Sequence, residues 1–335
     1  MRWGCKSGRR WARFAGALAL LPLGAATAFT PAGSVTMAGT APNPLAGAQL
    51  YVDPYTQARR QAEEWRRSRP ADATQMQKIA SQPQAVWFGD WSRDIRGDVD
   101  RVVSAAARAG AMPVLVAYNL PNRDLGSYSA GGAGGADAYR RWIRGFAAGL
   151  EGRPAVVILE PDALAGAGRM SAAARAQRIG LIREAVETLE AGGAAVYIDA
   201  GHARWVGAAD MAARLQQAGI ARADGFALNV SNFETTAANI AYGEQVSRRV
   251  GGKHFVIDTS RNGLGPNGQW CNPSGRALGE NPATRTRHAL VDAFLWVKRP
   301  GESDGSCNGG PPAGKWWAEY ALGLARRQPA APALR

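Results

Sequence analysis

The chain has 335 residues, of which 46% are hydrophobic and 20% charged, a composition typical of a globular protein and not of a disordered one. This length suffices for one large α/β domain or two ordinary ones. The net charge of +13 falls to +8 without residues 1–28, because that segment carries five basic residues and no acid. The remaining lysines and arginines are scattered, which favours a solvated basic surface over a nucleic-acid site.

Residues 1–28 have the pattern of a secretory signal peptide. A basic segment precedes an apolar run over 14–23, and the small residues at 26–28 fit a cleavage site. The apolar run is shorter than a membrane span, so we expect no stable membrane anchor. The pair Arg9-Arg10 fits both twin-arginine export and the general pathway, and both routes stay open. The sequence therefore predicts a secreted protein, extracellular or periplasmic.

Export decides how the cysteines are interpreted. Cys5 lies in the predicted signal peptide, which leaves Cys271 and Cys307 in the mature chain. Two cysteines in an oxidising compartment predict one disulfide. Neither has a neighbouring cysteine or histidine at the spacing of a zinc site, so a metal is the weaker interpretation.

The rest of the chain alternates between short apolar runs and helical patterns. We interpret residues 29–42 as a flexible leader, 43–327 as the folded part and 328–335 as a tail. A charge-rich helix is predicted over 56–69, ended before Pro70. The apolar runs, each predicted to be a strand, cover residues 85–88, 113–118, 155–159, 194–198, 225–228, 254–257 and 293–297.

Between several of these runs, apolar residues recur at helical spacing, and some of the stripes end at a glycine. The stripes are Val99-Val102-Val103-Ala106, Tyr139-Trp142-Ile143-Phe146-Leu150, Ile179-Ile182-Val186-Leu189 and Met211-Leu215-Ala218. Strands joined by helical crossovers predict a parallel α/β sheet, and we prefer an incomplete barrel of seven strands. No GxGxxG follows the first run, which disfavours a dinucleotide fold.

Polar residues follow nearly every run, at the edge where a parallel barrel places its active site. At the centre of the pattern, Glu160 and Asp162 flank Pro161, which ends a buried strand because it cannot donate to a ladder. A ring of carboxylates around one opening costs folding energy through repulsion and so indicates a function, although capping explains any single one. The residues concerned are Asp90, Asn119, Asp124, Glu160, Asp162, Asp199, His202, Asn229, Asn232, Asp258, Arg261, Lys298, Glu302 and Asp304.

Tryptophans near the same strand ends and loops suggest a sugar ligand. An acid-lined cleft with indole faces suits a glycan, because pyranose rings stack on aromatics while their hydroxyls bind carboxylates. A glycosidic bond is hydrolysed by two carboxyl groups, one protonated and one ionised. The three histidines form no metal-binding pair, which disfavours a catalytic metal. The tryptophans are Trp87, Trp205, Trp270, Trp296, Trp316 and Trp317, each of which taken singly could be a core residue.

A series of motifs, all in order, resembles glycoside hydrolase family 6, the inverting cellulases. They are YNLPNRD at 118–124, LEPDAL at 159–164, YIDAGHARW at 197–205, NVSNF at 229–233, DTSRNG at 258–263, WCN at 270–272 and WVKRPGESDG at 296–305. The resemblance extends from about residue 43 to about residue 324. It implies a distorted seven-stranded parallel β/α barrel, similar to a TIM barrel, that hydrolyses β-1,4-glucan without a cofactor or metal.

The resemblance also implies roles for individual residues. Asp162 occupies the position of the general acid, and Asp124 that of an aspartate that keeps this acid protonated. Asp304 occupies the position of the proposed base, for which a water relay is the alternative. Tyr118 matches a tyrosine beside the distorted sugar, and Asp199 an aspartate with a structural or substrate-orienting role. The other implied sugar-binding residues are Trp87, His202, Trp205, Asn229, Trp270, Lys298 and Glu302.

One departure from the family pattern concerns the loop that carries Asp124. Many relatives have a cysteine directly after this aspartate, bonded to another downstream, whereas here the residue is Leu125. The family's first disulfide is therefore absent, and the loop is either looser or packed by Leu125.

The segment 304–316 is short, whereas processive relatives roof their site with long loops. We therefore expect a monomeric endo-β-1,4-glucanase with cellulose or a related β-1,4-glucan as its partner. The alternatives are an exo-acting cellobiohydrolase and a non-catalytic glucan-binding protein on the same scaffold.

Overall fold

The computed structural model describes residues 42–329. The predicted signal peptide, the leader up to residue 41 and the tail from residue 330 lie outside the described residues. The described chain forms one sheet of seven parallel strands, paired in sequence order from first to last. The strands are β1 Val86–Phe88, β2 Val114–Ala117, β3 Val156–Leu159, β4 Ala195–Asp199, β5 Gly225–Leu228, β6 His254–Asp258 and β7 Val291–Leu295.

The sheet curls into a barrel that stays incomplete between its two edge strands. Within residues 42–329 no ladder joins β1 to β7. Instead, Ala85 N–H donates to the carbonyl of Trp296 at 3.0 Å, and the indole N–H of Trp87 donates to the carbonyl of Val297 at 2.8 Å. The predicted distorted seven-stranded barrel is confirmed, and every predicted run is a strand whose ends shift by at most two residues.

Helices follow most of the strands and cover the outer face of the barrel. They are α1 Gln57–Ser68, α2 Pro70–Ala80, α3 Ile95–Arg108, α4 Ala136–Leu150, α5 Ala163–Gly166, α6 Ala172–Ala191, α7 Ala208–Gln217, α8 Thr236–Ser247 and α9 Ala318–Arg326. No helix within the described range is long and apolar enough to cross a bilayer.

The strand side chains alternate between two apolar layers. In β3, Val156 and Ile158 belong to the cluster inside the barrel, whereas Val157 and Leu159 pack with the surrounding helices. A third cluster joins α1, α2 and α9 around the buried Trp296. Because both faces of the strands are apolar, polar groups collect at the strand ends, which places the site there.

Local sequence signals mark the boundary between α1 and α2 but do not reveal every helix. The predicted helix over 56–69 is α1, which Thr56 caps by accepting a hydrogen bond from Arg59 N–H at 3.2 Å, and Pro70 then begins α2. The sequence patterns do not predict α2, α5, α8 or α9. In α8 the buried face includes Asn239, Gly243 and Ser247, so no apolar stripe is visible in the sequence.

Candidate active site

Asp162 lies just after β3 with its backbone in the left-handed region, at φ 68°. Its N–H donates to Oδ1 of Asp199 at 2.9 Å, which fixes this turn. Burial raises the pKa of Asp162 well above its usual value, and the charges of Asp199, Asp124 and Asp304 raise it further. Three carboxylates therefore lie near Asp162, and burial together with their charges favours its protonated form.

Asp304 lies in the loop after β7 and has the opposite environment. Its Oδ2 accepts hydrogen bonds from Arg261 Nη1 and from Asn272 N–H, both at 2.9 Å, and Lys298 Nζ lies 3.4 Å from Oδ1. Burial alone would raise the pKa of Asp304, but Arg261 and Lys298 lower it below the usual value. Asp304 is therefore ionised where Asp162 is protonated, which is the division of roles that an acid–base pair needs.

Asp124 is held by the loop after β2. Its Oδ2 accepts a hydrogen bond from Ser129 N–H at 2.8 Å, which closes a short turn. The side chain of the preceding residue, Arg123, is buried and donates to Asp90 Oδ1 at 2.9 Å, to Tyr118 O at 3.0 Å and to Ser129 O at 2.8 Å. One arginine thus fixes both ends of the loop that carries Asp124.

Two further side chains support the same loop, which lacks the disulfide that many relatives have directly after this aspartate. Arg178 of α6 is buried and donates to the carbonyls of Pro121 at 3.1 Å and Asn122 at 2.8 Å. Leu125 packs against α5 at Gly166. Its Cδ1 lies 3.3 Å from the position that a Cβ atom would occupy there. Of the two alternatives for this loop, the structure has the one in which Leu125 packs it.

Three of the predicted rim acids are buried and do not line the cleft. Glu160 accepts a hydrogen bond from Asn119 N–H at 3.0 Å, and Asp258 accepts one from Ser231 N–H at 3.0 Å. Asp199 binds Asp162 N–H in the same way, so each acid ties its own strand to the loop after the preceding one. Burial raises the pKa of Glu160 and of Asp199 to about 7. The predicted ring of cleft-facing acids is wrong for these residues.

Tyr118 lies near Asp162 and Asp124 and packs against Trp87. The rings of Trp87 and Tyr118 meet edge to face with centroids 5.3 Å apart. Burial raises the pKa of Tyr118 well above its usual value, and the charges of Asp162 and Asp124 add to the effect. The phenol therefore stays neutral and lies close to both carboxyl groups.

Further aromatic residues line the two loops beyond. The rings of His202 and Trp205 lie 5.6 Å apart, and burial lowers the pKa of His202 to about 4, so its imidazole is neutral. Trp205 is 38% exposed and Trp270 57% exposed. The ring of Tyr128, from the Asp124 loop, lies 5.9 Å from Trp270. These exposed faces are the surfaces on which a sugar can stack.

Other predicted ligands are placed differently. Asn229 is fully buried, and its amide donates to the carbonyls of Asp258 at 2.9 Å and Glu234 at 3.1 Å, so it does not face the cleft. Glu302 is partly exposed and pairs with Arg299 at 3.2 Å. Trp296, one of the six candidate tryptophans, belongs to the core.

The segment 301–305 matches the Gly-x-Ser-x-Gly pattern of serine hydrolases, but its serine has a structural role. Ser303 is fully buried, and its hydroxyl lies 2.7 Å from the carbonyl of Pro311 and 3.1 Å from Asn272 Nδ2. A nucleophilic serine must be exposed beside a base, so Ser303 holds the loop of Asp304 instead.

Cys271 and Cys307 form a disulfide, as predicted. The disulfide holds Asn272, which directly follows Cys271. The Oδ1 atom of Asn272 accepts a hydrogen bond from Asp304 N–H at 2.8 Å. Sequence reasoning missed Asn272 and gave no role to the buried Arg261, although both lie within motifs that carry the family resemblance. Their position beside Asp304 depends on long loops that meet only in the folded chain.

Comparison with known protein families agrees with this geometry. The model for glycosyl hydrolases family 6 matches residues 45–328. The chain belongs to glycosyl hydrolase family 6. Its seven-stranded incomplete barrel is accordingly the family's fold.

Individual family 6 relatives are similar over most of the described range. Endoglucanase A of Cellulomonas fimi is 50% identical over 287 residues, which cover 85% of this chain and 62% of that protein. Endoglucanase 1 of Streptomyces halstedii is 45% identical over 285 residues, 81% of this chain and 87% of that protein. The structure of the endoglucanase Cel6 from Mycobacterium tuberculosis, bound to a thio-linked cellobioside, matches with a TM-score of 0.81 and 50% identity, covering 85% of this chain and 99% of that one. Relatives named cellobiohydrolase or exoglucanase are 30 to 32% identical.

Proposed function

We propose that this family 6 chain is a secreted, inverting endo-β-1,4-glucanase. The observation that carries the proposal is the contrast between the surroundings of two aspartates. Arg261, Asn272 N–H and Lys298 contact Asp304, whereas Asp162 is partly buried near the carboxylates of Asp199, Asp124 and Asp304. Inverting glycosidases need one protonated and one ionised carboxyl group at the scissile bond.

In the proposed reaction, Asp162 gives its proton to the glycosidic oxygen as the bond to the anomeric carbon breaks. A water molecule attacks that carbon from the opposite face, and its proton passes to Asp304, directly or through a second water. The two carboxyl groups of inverting enzymes lie about 6.5–9.5 Å apart, which leaves room for the attacking water. Asp124 supports the step because its charge helps to keep Asp162 protonated.

The aromatic residues support a β-1,4-glucan as substrate. Trp205 and Trp270 are exposed and Trp87 packs on Tyr118, and such rings suit glucose units linked β-1,4, which present flat C–H faces on both sides. Tyr118 lies beside Asp162, where the ring undergoing cleavage would sit. Lys298, beside Asp304, and Glu302, paired with Arg299, are the polar residues that the family resemblance assigns to sugar hydroxyls.

Endo action is favoured over exo action by two observations. Relatives at 45 to 50% identity carry the name endoglucanase, and the segment after Asp304 is short. Secretion is supported by the signal-like pattern of residues 1–28. A fast fall in the viscosity of carboxymethyl cellulose, relative to sugar release, is expected of internal cleavage; a slow fall would favour the exo alternative.

Product stereochemistry tests the mechanism. Proton NMR of fresh cellohexaose hydrolysate should show the α-anomer first, because a single displacement inverts the β-linkage. Initial release of the β-anomer would overturn the inverting mechanism. Binding of the glucan without any release of reducing ends would instead favour the non-catalytic alternative.

A further inference from the structure

We propose that a groove outside the aspartate cluster is an additional glucose-binding subsite for long glucan chains. The groove, called here the Tyr55 groove, has a volume of about 130 Å³ and is lined in part by Tyr55, Gln57, Arg60, Arg299, Glu302 and Trp316. It deepens the proposed glucanase function and rests on it, since it would hold a part of the substrate remote from the bond that breaks.

The Tyr55 groove adjoins the sugar-binding residues that the family resemblance implies. Glu302 belongs to both, and its partner Arg299 also donates to the carbonyl of Ala85 at 2.8 Å. The N–H of Ala85 and the indole N–H of Trp87 both donate to carbonyls just after β7, across the open edge between β1 and β7. Glu302 is thus the residue shared by the groove and the implied sugar-binding set, and a glucan chain that reaches Glu302 would pass from there into the Tyr55 groove.

Two aromatic side chains give the Tyr55 groove a surface for a sugar ring. Tyr55 is 78% exposed, and its N–H donates to Asp53 Oδ1 at 2.8 Å, which fixes the turn before α1. Trp316 is held more rigidly, because its ring packs on Gly301 and its indole N–H donates to Gln61 Oε1 at 3.2 Å. An exposed phenol and an ordered indole lining one groove are suited to stacking on pyranose faces.

The polar lining indicates the charge of the ligand. Arg60 and Arg299 are balanced by Asp53 and Glu302, so neither an anion nor a cation is favoured overall. Donors and acceptors are nevertheless plentiful, including the amide of Gln57. A neutral ligand rich in hydroxyl groups fits this mixture best, and the continuation of a glucan chain is such a ligand.

The test compares substrates of increasing length. Tyr55→Ala and Arg60→Ala should each lower kcat/KM on cellohexaose by about five- to tenfold, the loss expected for one stacking or hydrogen-bonding contact. Both should leave cellotriose hydrolysis unchanged, because a short substrate does not reach the Tyr55 groove. Cellopentaose labelled at its reducing end should also be cut at a different linkage by these variants.

Matched variants control for effects on folding. Tyr55→Phe keeps the ring and should retain most of the cellohexaose rate, and Arg67→Ala changes an exposed arginine on the same helix away from the groove. The subsite would be overturned if both Tyr55→Ala and Arg60→Ala hydrolysed cello-oligosaccharides of every length at wild-type rates and at the wild-type linkages.

A binding measurement separates this inference from the proposed function. Calorimetric titration of cellohexaose into Asp162→Asn does not depend on turnover, and adding Tyr55→Ala should weaken its affinity about five- to tenfold. If the wild-type protein releases no sugar yet Tyr55→Ala weakens binding, the function falls and the subsite stands. Unchanged affinity for cellohexaose would remove the subsite regardless of activity.

Discussion

The main-chain N–H of Asp162 donates a 2.9 Å hydrogen bond to Oδ1 of Asp199, which also accepts one from Gly201 N–H at 3.0 Å. The second oxygen of Asp199 is buried and has no partner within the described residues. This single carboxyl group therefore does two things. It holds Asp162 in its left-handed turn, and its charge helps to keep the proton on Asp162.

Replacement of the proposed acid should remove most of the activity on cellulose. Asp162→Asn has no proton to give to the leaving oxygen, and we expect a loss of about 10²- to 10⁴-fold in kcat with affinity for cellohexaose retained. Reducing-sugar release and calorimetric binding measure the two quantities. A substrate with a good leaving group, such as a dinitrophenyl cellobioside, needs no acid and should be hydrolysed nearly normally. Near-normal turnover of cellulose would show that another group is the acid.

The rate should have a bell-shaped dependence on pH. Activity is lost as pH falls through the pKa of Asp304, which lies below the usual 3.8, and lost again as pH rises through the raised pKa of Asp162. Asp199→Asn removes a neighbouring negative charge, so it should move the alkaline limb to lower pH and leave the acid limb in place. The pH profile of kcat/KM measures both limbs. An alkaline limb that stays at the wild-type pH would assign it to a different group.

The buried arginine beneath the Asp124 loop should matter for catalysis without touching substrate. Arg178→Met leaves the carbonyls of Pro121 and Asn122 without a partner, at a cost of about 1–3 kcal/mol. We expect a fall in kcat of about tenfold, because a displaced Asp124 acts less well on Asp162. Hydrogen exchange should quicken over residues 119–132 and stay normal elsewhere.

Arg175→Met is the matched control, since Arg175 lies on the same helix and is only partly buried. It should leave both kcat and hydrogen exchange at the wild-type level. An equal loss in the two variants would mean that α6 as a whole, and not Arg178, supports the loop.

Loss of the disulfide should lower stability and loosen the loop of Asp304. Cys271 and Cys307 are separated by 36 residues, and opening such a loop costs about 2–4 kcal/mol. The double variant Cys271→Ser/Cys307→Ser should therefore unfold at a lower temperature in calorimetry. Dithiothreitol should lower the Tm of the wild-type protein towards that of the variant and leave the variant unchanged. A variant as stable as the oxidised wild type would show that other contacts hold Asn272 against Asp304.

The strand rhythm and the family motifs were visible without a structure because they are local. Runs such as 155–159 are apolar on both faces, which only a strand covered on both sides requires. Helices with an apolar stripe were equally visible, whereas α8 was not, since its buried side carries Asn239 and Ser247. Local patterns report burial only where burial is apolar.

The sequence by itself determined the barrel and the family, and through the family resemblance it pointed to Asp124, Asp162 and Asp304. It could not decide which acids face the cleft. Glu160 and Asp162 are two residues apart and both have positive φ, yet one is buried under the Asp124 loop and the other reaches the site. The carboxylate of Glu160 is held by the N–H of Asn119, 41 residues away, whereas the turn at Asp162 is held through its main-chain N–H by Asp199 of β4, 37 residues away. The protonation states follow from the same contacts, because the pKa of a carboxyl group depends on the burial and charges that only the folded chain brings together.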